Sequence, residues 1–432
     1  MVILGGGESG VAAALLAQAK DTRYLSPTSV RRYSRRNCCG LILPLRWPLF
    51  SSTSGGGRGD PESGHPRDHP SHELSQPGIS VWSEIEFASR FIDGQILAIT
   101  GTNGKTTTTH LVHHLFEHAG RSVACGGNIG NALARLAMQS PVDWYILELS
   151  SFQLDDIDQF HPRIAIILNV TPDHLDRYEN NMARYARAKL QISLNQTAQD
   201  TLILQQGNAY LQDGLKEVPV RAMITEVGHP EGEAGDWLLV DGHRYDLSSF
   251  VLRGTHNLYN TTCAILAARK AGLTPQEIQA ALPSFKPVSH RMEPIGSRQG
   301  VDYINDSKAT NVDAVWYALQ AMNQPVVWIA GRRIKEMITL LIELAGRRSR
   351  PWFALAWRQA NSSMPLMVSF PPSWSHVPCP RLFRLRAVLP RQEIASCSPR
   401  RAQFDLFRNY EHRGQCFREA FHELETENLP CH

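Results

Sequence analysis

Short apolar runs alternate with helix-period stretches over the middle of the chain. Ile96 to Thr100, Tyr145 to Leu149 and Ile164 to Val170 have the length and composition of buried strands. After Thr106, apolar residues recur at helical spacing, namely Leu111, Val112, Leu115, Phe116 and Ala119. Strands that alternate with helices in this way predict an α/β fold with a doubly wound parallel sheet.

Similar patterns flank this region on both sides. Val2 to Leu4 is a short apolar run that leads through a glycine-rich turn into an alanine-rich helix. Near the other end, strand-like runs at Tyr303 and at Val326 to Ala330 precede a helical stretch from Phe404 to Phe421. A chain of 432 residues is too long for one core. We therefore predict three domains, with boundaries at 1–90, 91–287 and 288–432.

The periodicity is lost in two stretches, residues 21–80 and 332–402, so we expect both outer domains to be disrupted. The first stretch is rich in Ser, Gly, Pro and Arg and fits neither strand nor helix. The second holds 12 Arg and 1 Lys against 3 Glu, and no glycine occurs between Gly346 and Gly414. Such a gap is unusual for α/β turns, which depend on glycine.

Composition limits the class of protein further. The net charge of +3 comes from the two Arg-rich stretches, so the remainder of the chain is acidic. These stretches carry no repeated aromatic platforms, which argues against a nucleic-acid partner. No apolar run reaches membrane-spanning length, and the eight cysteines include no C-x-x-C pair. We expect a cytoplasmic monomer with reduced thiols and with no membrane or nucleic-acid partner.

The most specific chemical signal lies between the Ile96 strand and the helix that follows it. Residues Gly101 to Thr107 read GTNGKTT. A glycine-rich turn at this place directs backbone N–H groups outward at the positive end of the helix dipole, which suits a polyphosphate. Lys105 would reach the outer phosphates, and the Thr106 hydroxyl would bind magnesium. We predict a P-loop ATPase domain here, with a coincidental glycine turn as the alternative.

Two further positions are candidates for ligand binding. Glu148 lies near the C-terminal end of the predicted strand from Tyr145 to Leu149, and the carboxyl ends of parallel strands face the ligand crevice. A carboxylate there can hold magnesium opposite Thr106, although it could instead cap the next helix. Gly5 to Gly10 read GGGESG, a G-x-G-x-x-G match that is weak because arginines replace the acidic residue expected near position 30.

A series of ordered motifs is similar to that of a known family. The chain contains GTNGKTT, GGNIGNAL, ELSSFQL, NVTPDHLDRY, YARAKL, HNLYN, HR, NDSKATN and FDLFRNYEHRG in this order. These motifs closely resemble those of the Mur ligases and, within that family, those of the members that add D-glutamate. The resemblance covers about residues 1–20, 81–331 and 403–424. It implies Rossmann-like folds for both outer domains.

The resemblance also implies an ATP-dependent carboxylate–amine ligase of peptidoglycan synthesis. The carboxylate of UDP-N-acetylmuramoyl-L-alanine would attack the γ-phosphate of ATP, and the amine of D-glutamate would displace phosphate from the resulting acyl phosphate. Such chemistry depends on positioning and charge neutralisation. Two magnesium ions are implied, one bound by Thr106 and Glu148 and a second served by His174 and Lys189. Lys189 is expected to carry CO2 as a carbamate, which needs a neutral amine; an unmodified lysine is the alternative.

The residues that the resemblance implies for the site fall into four sets. The catalytic set is Lys105, Glu148, His174 and Lys189. The ATP-binding set is Gly101, Thr102, Asn103, Gly104, Lys105, Thr106, Thr107, Asn260, Arg291 and Asp306. The UDP-sugar set is Gly7, Glu8, Ser9 and Asn128. The D-glutamate set is Lys308, Thr310 and Tyr410.

The chain also departs from the family pattern. A glycine-aspartate-lysine turn is expected after Gly331, where the chain has Arg332 and Arg333, and Gln403 stands where the family has a serine. Because both aberrant stretches begin and end abruptly and keep the expected length, we hypothesise compensated frameshifts, which reading the DNA in the other two frames would test. Two alternatives stay open: another Mur-type or folylpolyglutamate-type amide ligase, and an inactive nucleotide-binding remnant.

Overall fold

The computed structural model describes residues 2–4, 8–20, 41–43, 82–173, 175, 177–228, 236–252, 254–298, 300–309, 315, 318, 326–330, 352–356, 366–368, 394–397 and 410–426. The chain divides into two compact units. The first comprises residues 1–250 and 255–285, and the second comprises residues 251–254 and 286–432. The division into three domains stays a prediction.

The amino-terminal part of the first unit combines short strands with two helices. Its elements are β1 (Val2–Leu4), α1 (Glu8–Ala19), β2 (Leu41–Leu43), β3 (Trp82–Ser83) and α2 (Glu84–Ser89). β2 pairs antiparallel with both β1 and β3. A Rossmann-like sheet is parallel, so the structure differs from the expectation at these strands. Pairing direction depends on the chain path between strands, which local periodicity does not encode.

A six-stranded parallel sheet forms the centre of the first unit. Its strands are β4 (Gln95–Thr100), β5 (Val123–Gly127), β6 (Trp144–Glu148), β7 (Ile164–Ile167), β8 (Thr201–Gln205) and β9 (Met223–Val227). Their order is β5-β6-β4-β7-β8-β9, and all neighbours run parallel. The predicted doubly wound sheet is confirmed. β4 is central, so side chains that follow β6 and β7 can reach the turn that follows β4.

Helices and a hairpin complete the first unit. They are α3 (Lys105–His118), α4 (Leu133–Leu136), α5 (Ser151–Leu154), α6 (Met182–Leu190), α7 (Ala209–Glu217), β10 (Trp237–Val240), β11 (His243–Asp246), α8 (Thr255–Lys270) and α9 (Pro275–Ala281). In α3, the buried apolar residues are Leu111, Val112, Leu115 and Phe116, as their spacing predicts. None of the helices in the described residues is long and apolar enough to cross a membrane.

The second unit is built on a mixed sheet. Its elements are β12 (Glu293–Arg298), β13 (Val301–Asn305), β14 (Val326–Ala330), β15 (Trp352–Ala356), β16 (Leu366–Val368), β17 (Ile394–Cys397) and α10 (Tyr410–Thr426). The strand order is β12-β13-β17-β14-β15-β16, with antiparallel strands at both edges and parallel strands between them. Three of these strands come from residues 332–402, where the sequence pattern predicted none. Phe417 and Phe421 of α10 are buried.

Candidate active site

The loop between β4 and α3 has a backbone that requires glycine at two positions. Gly101 has φ of 148° and Gly104 has φ of 85°, a range that favours glycine. A Cβ at Gly101 would lie 3.0 Å from Leu168 Cβ, and one at Gly104 would lie 2.5 Å from Asn260 Oδ1. A Cβ at either glycine would therefore crowd its neighbour, in addition to straining the backbone. Asn260, predicted on the ATP side, packs directly against Gly104.

Two lysines meet at the carbonyl of Gly101. Lys105 Nζ donates to Gly101 O at 2.9 Å and to Thr102 O at 2.8 Å. Lys189 Nζ donates to the same Gly101 O at 2.9 Å and lies 4.5 Å from the ring centroid of Tyr185. Lys189 is only 1% exposed. Burial, together with the ammonium of Lys105, lowers the pKa of Lys189 well below its usual value, although nearby carboxylates oppose the shift.

Glu148 lies at the carboxyl end of β6 and is buried. Its Oε2 accepts a hydrogen bond from Thr106 Oγ1 at 2.6 Å, and its Oε1 accepts one from Asn128 Nδ2 at 3.0 Å. The next helix, α5, is capped by Ser150, whose side chain accepts from Gln153 N. The helix-capping alternative for Glu148 is therefore excluded, and its carboxylate faces the phosphate loop.

These oxygen donors fit a magnesium ion. A hydroxyl from Thr106 and a carboxylate from Glu148 are the hard ligands that Mg²⁺ prefers, and water and phosphate oxygens usually complete its octahedron. Among the described residues, no group of three or more His, Cys, Asp or Glu side chains could hold a metal ion by itself. His174, predicted at the second ion, lies outside the described residues.

Residues that follow β7 also bond to the phosphate loop, although the sequence pattern did not mark them as candidates. Asn169 Oδ1 accepts from Thr102 N at 3.1 Å and from Asn103 N at 2.8 Å. Thr171 N donates to Thr102 Oγ1 at 3.1 Å. The same Thr102 Oγ1 lies 3.3 Å from Tyr185 Oη. The available signal was the position of Asn169 just beyond a buried strand, at the same sheet edge as Glu148.

The residues predicted on the UDP-sugar side are less closely grouped. Asn128 belongs to the Glu148 cluster, whereas Glu8 begins α1 and forms an ion pair with Arg135 of α4. That ion pair lowers the pKa of the Glu8 carboxyl. Ser9 is part of α1, and Gly7 lies outside the described residues.

A second group of predicted site residues lies in the second unit. Asp306, just after β13, is buried and accepts a hydrogen bond from Met292 N at 3.1 Å. Burial raises the pKa of Asp306 to about 7, opposed by the charge of Arg291 and by that hydrogen bond. His290 and Met292 have φ of 64° and 44°, so Arg291 sits in a turn with two strained neighbours. Arg291 Nε is buried and has no hydrogen-bond partner among the described residues.

The residues predicted for the amino-acid pocket partly come together. Lys308 Nζ lies 5.3 Å from the ring centroid of Tyr410, and Ser307 Oγ donates to Tyr410 O at 2.8 Å. Arg413, which the sequence analysis assigned no role, donates from Nε to Ser307 Oγ at 2.7 Å and is buried. Thr310 lies outside the described residues.

A parallel sheet with a lysine-bearing phosphate loop and a facing carboxylate defines an ATP-using protein of the P-loop class. Comparison with known proteins narrows the class. Residues 99–268 match the sequence model of the Mur ligase middle domain. The chain is 35% identical to the UDP-N-acetylmuramoylalanine--D-glutamate ligase of Bacteroides fragilis, over 98% of this chain and 99% of that protein. It is 37% identical to the enzyme of the same name from Cytophaga hutchinsonii, with the same coverage.

Solved structures agree on the fold. The chain is similar to the crystal structure of MurF ligase from Thermotoga maritima in complex with ADP, with a TM-score of 0.57 and 16% sequence identity. The similarity covers 79% of this chain and 84% of that one. The chain therefore belongs to the Mur ligase family, whose members are ATP-dependent ligases that form amide bonds.

Proposed function

We propose that this protein uses ATP to join D-glutamate to UDP-N-acetylmuramoyl-L-alanine, as a step of peptidoglycan precursor synthesis. The observation that carries the proposal is the similarity over nearly the whole chain to enzymes named for that ligation. The cluster of Lys105, Thr106 and Glu148 at the phosphate loop supports the use of ATP. The substrates are assigned from the relatives alone.

The proposed reaction has two steps. An oxygen of the substrate carboxylate attacks the γ-phosphorus of ATP, the bond to the β-phosphate oxygen breaks, and ADP leaves. The amine of D-glutamate then attacks the acyl carbon and loses a proton, the bond from that carbon to the bridging oxygen breaks, and inorganic phosphate leaves with the bridging oxygen. Lys105 neutralises charge that builds up on the transferred phosphoryl group. The N–H groups at the start of α3 hold the phosphates.

Thr106 and Glu148 would hold one magnesium ion, which neutralises phosphate charge when it is bound. We assign to Lys189 the proposed carbamate that would serve a second ion together with His174. The burial of Lys189 supports this assignment, because a buried amine is readily neutral and only a neutral amine adds CO2. The chemistry requires loss of one proton from the amine as the N–C bond forms.

Residues of the second unit are proposed to contact ATP and the amino acid. Arg291 has a buried Nε with no hydrogen-bond partner among the described residues, which suits it to an incoming phosphate. Lys308 and Tyr410 lie close enough to form one face of a pocket for a dicarboxylate.

A substrate panel tests the proposed function. Purified protein is incubated with ATP, magnesium and UDP-N-acetylmuramoyl-L-alanine, and phosphate release is measured with D-glutamate, L-glutamate, D-alanine or no amino acid. We expect release with D-glutamate only. Release with another amino acid, or with a folate acceptor, would identify a different amide ligase, and ATP binding without any release would identify an inactive remnant.

The carbamate has its own test. The Lys189→Ala protein should lose most phosphate release, and so should the unmodified protein in buffer stripped of CO2, with recovery when bicarbonate is added. A control is Lys216→Ala, since Lys216 is exposed on α7. Full activity of Lys189→Ala, or full activity without CO2, would reject the carbamate.

A further inference from the structure

Asn169 lies beside the phosphate loop and contacts it through both atoms of its carboxamide. Its Oδ1 accepts hydrogen bonds from Thr102 N at 3.1 Å and from Asn103 N at 2.8 Å, and its Nδ2 donates to Asn103 O at 3.0 Å. The backbone carbonyl of Asn169 also accepts from Thr102 N at 3.0 Å. One side chain thus holds three polar groups of two consecutive loop residues.

These bonds fix the direction of two peptide groups, because the N–H and C=O of a trans peptide point in opposite directions. Since Thr102 N is bonded to Asn169, the carbonyl of the same peptide, Gly101 O, faces the other way and accepts from both Lys105 and Lys189. Since Asn103 N is bonded to Asn169, Thr102 O likewise faces away and accepts from Lys105. The side chain and the backbone carbonyl of Asn169 together therefore orient the carbonyls that accept from the two lysines.

The third peptide is turned in the opposite sense. Asn169 Nδ2 bonds to Asn103 O, so the N–H of Gly104, in the same peptide, points away from Asn169. Gly104 directly precedes α3, whose first turn offers N–H groups without intrahelical acceptors. Such N–H groups bind phosphates at helix N-termini. The N–H of Gly104 therefore points away from Asn169 and directly precedes these N–H groups in the chain.

We propose that Asn169 is a positioning residue of the ligase reaction, which holds the phosphate loop in the conformation that binds the β- and γ-phosphates of ATP. This inference rests on the proposed use of ATP by the loop. A carboxamide suits the role because it accepts from two N–H groups and donates to a carbonyl at the same time. An aspartate would present a second oxygen to Asn103 O and repel it.

The segment that follows Asn169 is bonded to the same loop. Thr102 Oγ1 accepts from Thr171 N at 3.1 Å and donates to Thr171 O at 3.2 Å. Residues 169–171 and the first half of the loop are therefore held as one piece.

The experiment compares Asn169→Ala and Asn169→Asp with the matched variant Asn195→Ala in the full chain. Asn195 also bonds to two backbone groups, donating to Asp158 O at 2.8 Å and Phe160 O at 3.0 Å. These partners precede β7, whereas Asn169 follows it, so the control removes similar hydrogen bonds at the opposite end of the strand. Loss of stability alone should therefore be similar in the two alanine variants.

Nucleotide affinity is measured by displacement of a fluorescent ATP analogue with ADP or AMP. We expect both Asn169 variants to bind ADP about 10- to 100-fold more weakly, from the loss of two to three hydrogen bonds that organise the loop. AMP has no β-phosphate, so its affinity should be unchanged. Asn195→Ala should bind both nucleotides as the unmodified protein does.

A second measurement needs no nucleotide. Backbone hydrogen exchange at Asn103, whose N–H is bonded to the Asn169 side chain, should accelerate in Asn169→Ala and not in Asn195→Ala. Equal losses of ADP and AMP affinity, or an unchanged exchange rate, would overturn the positioning role. If the unmodified protein binds no ADP, the proposed function fails together with this inference; if it binds ADP and Asn169→Ala binds it equally well, only the inference about Asn169 fails.

Discussion

Two polar turns, one in each unit, follow the carboxyl ends of parallel strands, but they are held by different means. The phosphate loop after β4 contains two glycines with positive φ, and its backbone groups bond to residues that follow the neighbouring strand β7. The turn after β13 contains no glycine. Its side chains bond to a distant helix, with Asn305 Nδ2 donating to Gly414 O and Ser307 Oγ donating to Tyr410 O.

The two turns should therefore be sensitive to different substitutions. We expect the phosphate loop to be most sensitive to a Cβ added at either of its two glycines, which have positive φ and close neighbours. The turn after β13 is held by side chains that bond to backbone carbonyls more than 100 residues away. It therefore depends on those side chains and on α10, which supplies the carbonyls. The first turn is thus specified by its backbone conformation and close packing, and the second by side-chain hydrogen bonds to a helix more than 100 residues away.

The largest expected effect comes from the one charged side chain of the first turn. Lys105→Ala should reduce phosphate release by about 10³-fold, because the loss of a group that neutralises transition-state charge costs about that much. Steady-state assay at saturating substrates measures the effect, with the exposed Lys216→Ala as control. Activity within tenfold of the unmodified protein would place ATP elsewhere.

The free energy of unfolding should depend on pH because of Asp306, in the turn after β13. The folded protein keeps the Asp306 proton up to about pH 7, whereas the unfolded chain releases it near pH 4, so the free energy of unfolding falls as the pH rises between these values. The fall should amount to about 3 kcal/mol. Asp306→Asn should remove it while still accepting from Met292 N.

Urea denaturation at pH 5, 6, 7 and 8 measures this pH dependence. The control is Asp302→Asn, since Asp302 is exposed and lies on β13, the strand that precedes Asp306. An unchanged pH slope in Asp306→Asn would show that its carboxyl is ionised throughout this range.

Two glycine-to-alanine variants test whether the phosphate loop needs glycine because of its close neighbours. Gly104 and Gly120 both have positive φ, but a Cβ at Gly104 would lie 2.5 Å from Asn260 Oδ1, while one at Gly120 meets nothing within 4 Å. Gly120→Ala should cost about 1 kcal/mol of stability and leave ADP affinity intact. Gly104→Ala should in addition weaken ADP binding about 30-fold. Equal ADP affinity in the two variants would contradict the idea that crowding shapes the loop.

The smallest expected effect is on the free energy of unfolding, when a side chain that bonds to the turn after β13 is changed. Arg413 donates to Ser307 through Nε and also to the Ser307 carbonyl, an arrangement that the single ammonium of lysine cannot reproduce. Arg413→Lys should lower the free energy of unfolding by about 1 kcal/mol. Arg418→Lys, at a more exposed ion pair with Glu293, should change it less. If Arg418→Lys costs more in urea denaturation, the long-range account is wrong.

The sequence predicted the structure best where neighbouring residues carry short-range signals for a strand, a turn or a helix. Strand, glycine turn and helix around Lys105 were predictable because each carries its own short-range signal, and Glu148 followed from its place at a strand end. The antiparallel pairing of β2 and the strands within residues 332–402 were not predictable, because pairing partners are set by the chain path. Frameshifts in residues 21–80 and 332–402 stay a hypothesis that the DNA would test.

The sequence by itself determined the family, the parallel sheet and the residue types available for chemistry, because apolar periodicity and glycine turns act over a few residues. Only the tertiary structure decided which groups meet: the shared acceptor of Lys105 and Lys189 at Gly101 O, the hold of Asn169 on the loop, and the burial of Asp306. Hydrogen bonds and desolvation depend on groups that are distant in sequence but close in space, and no local pattern records that distance.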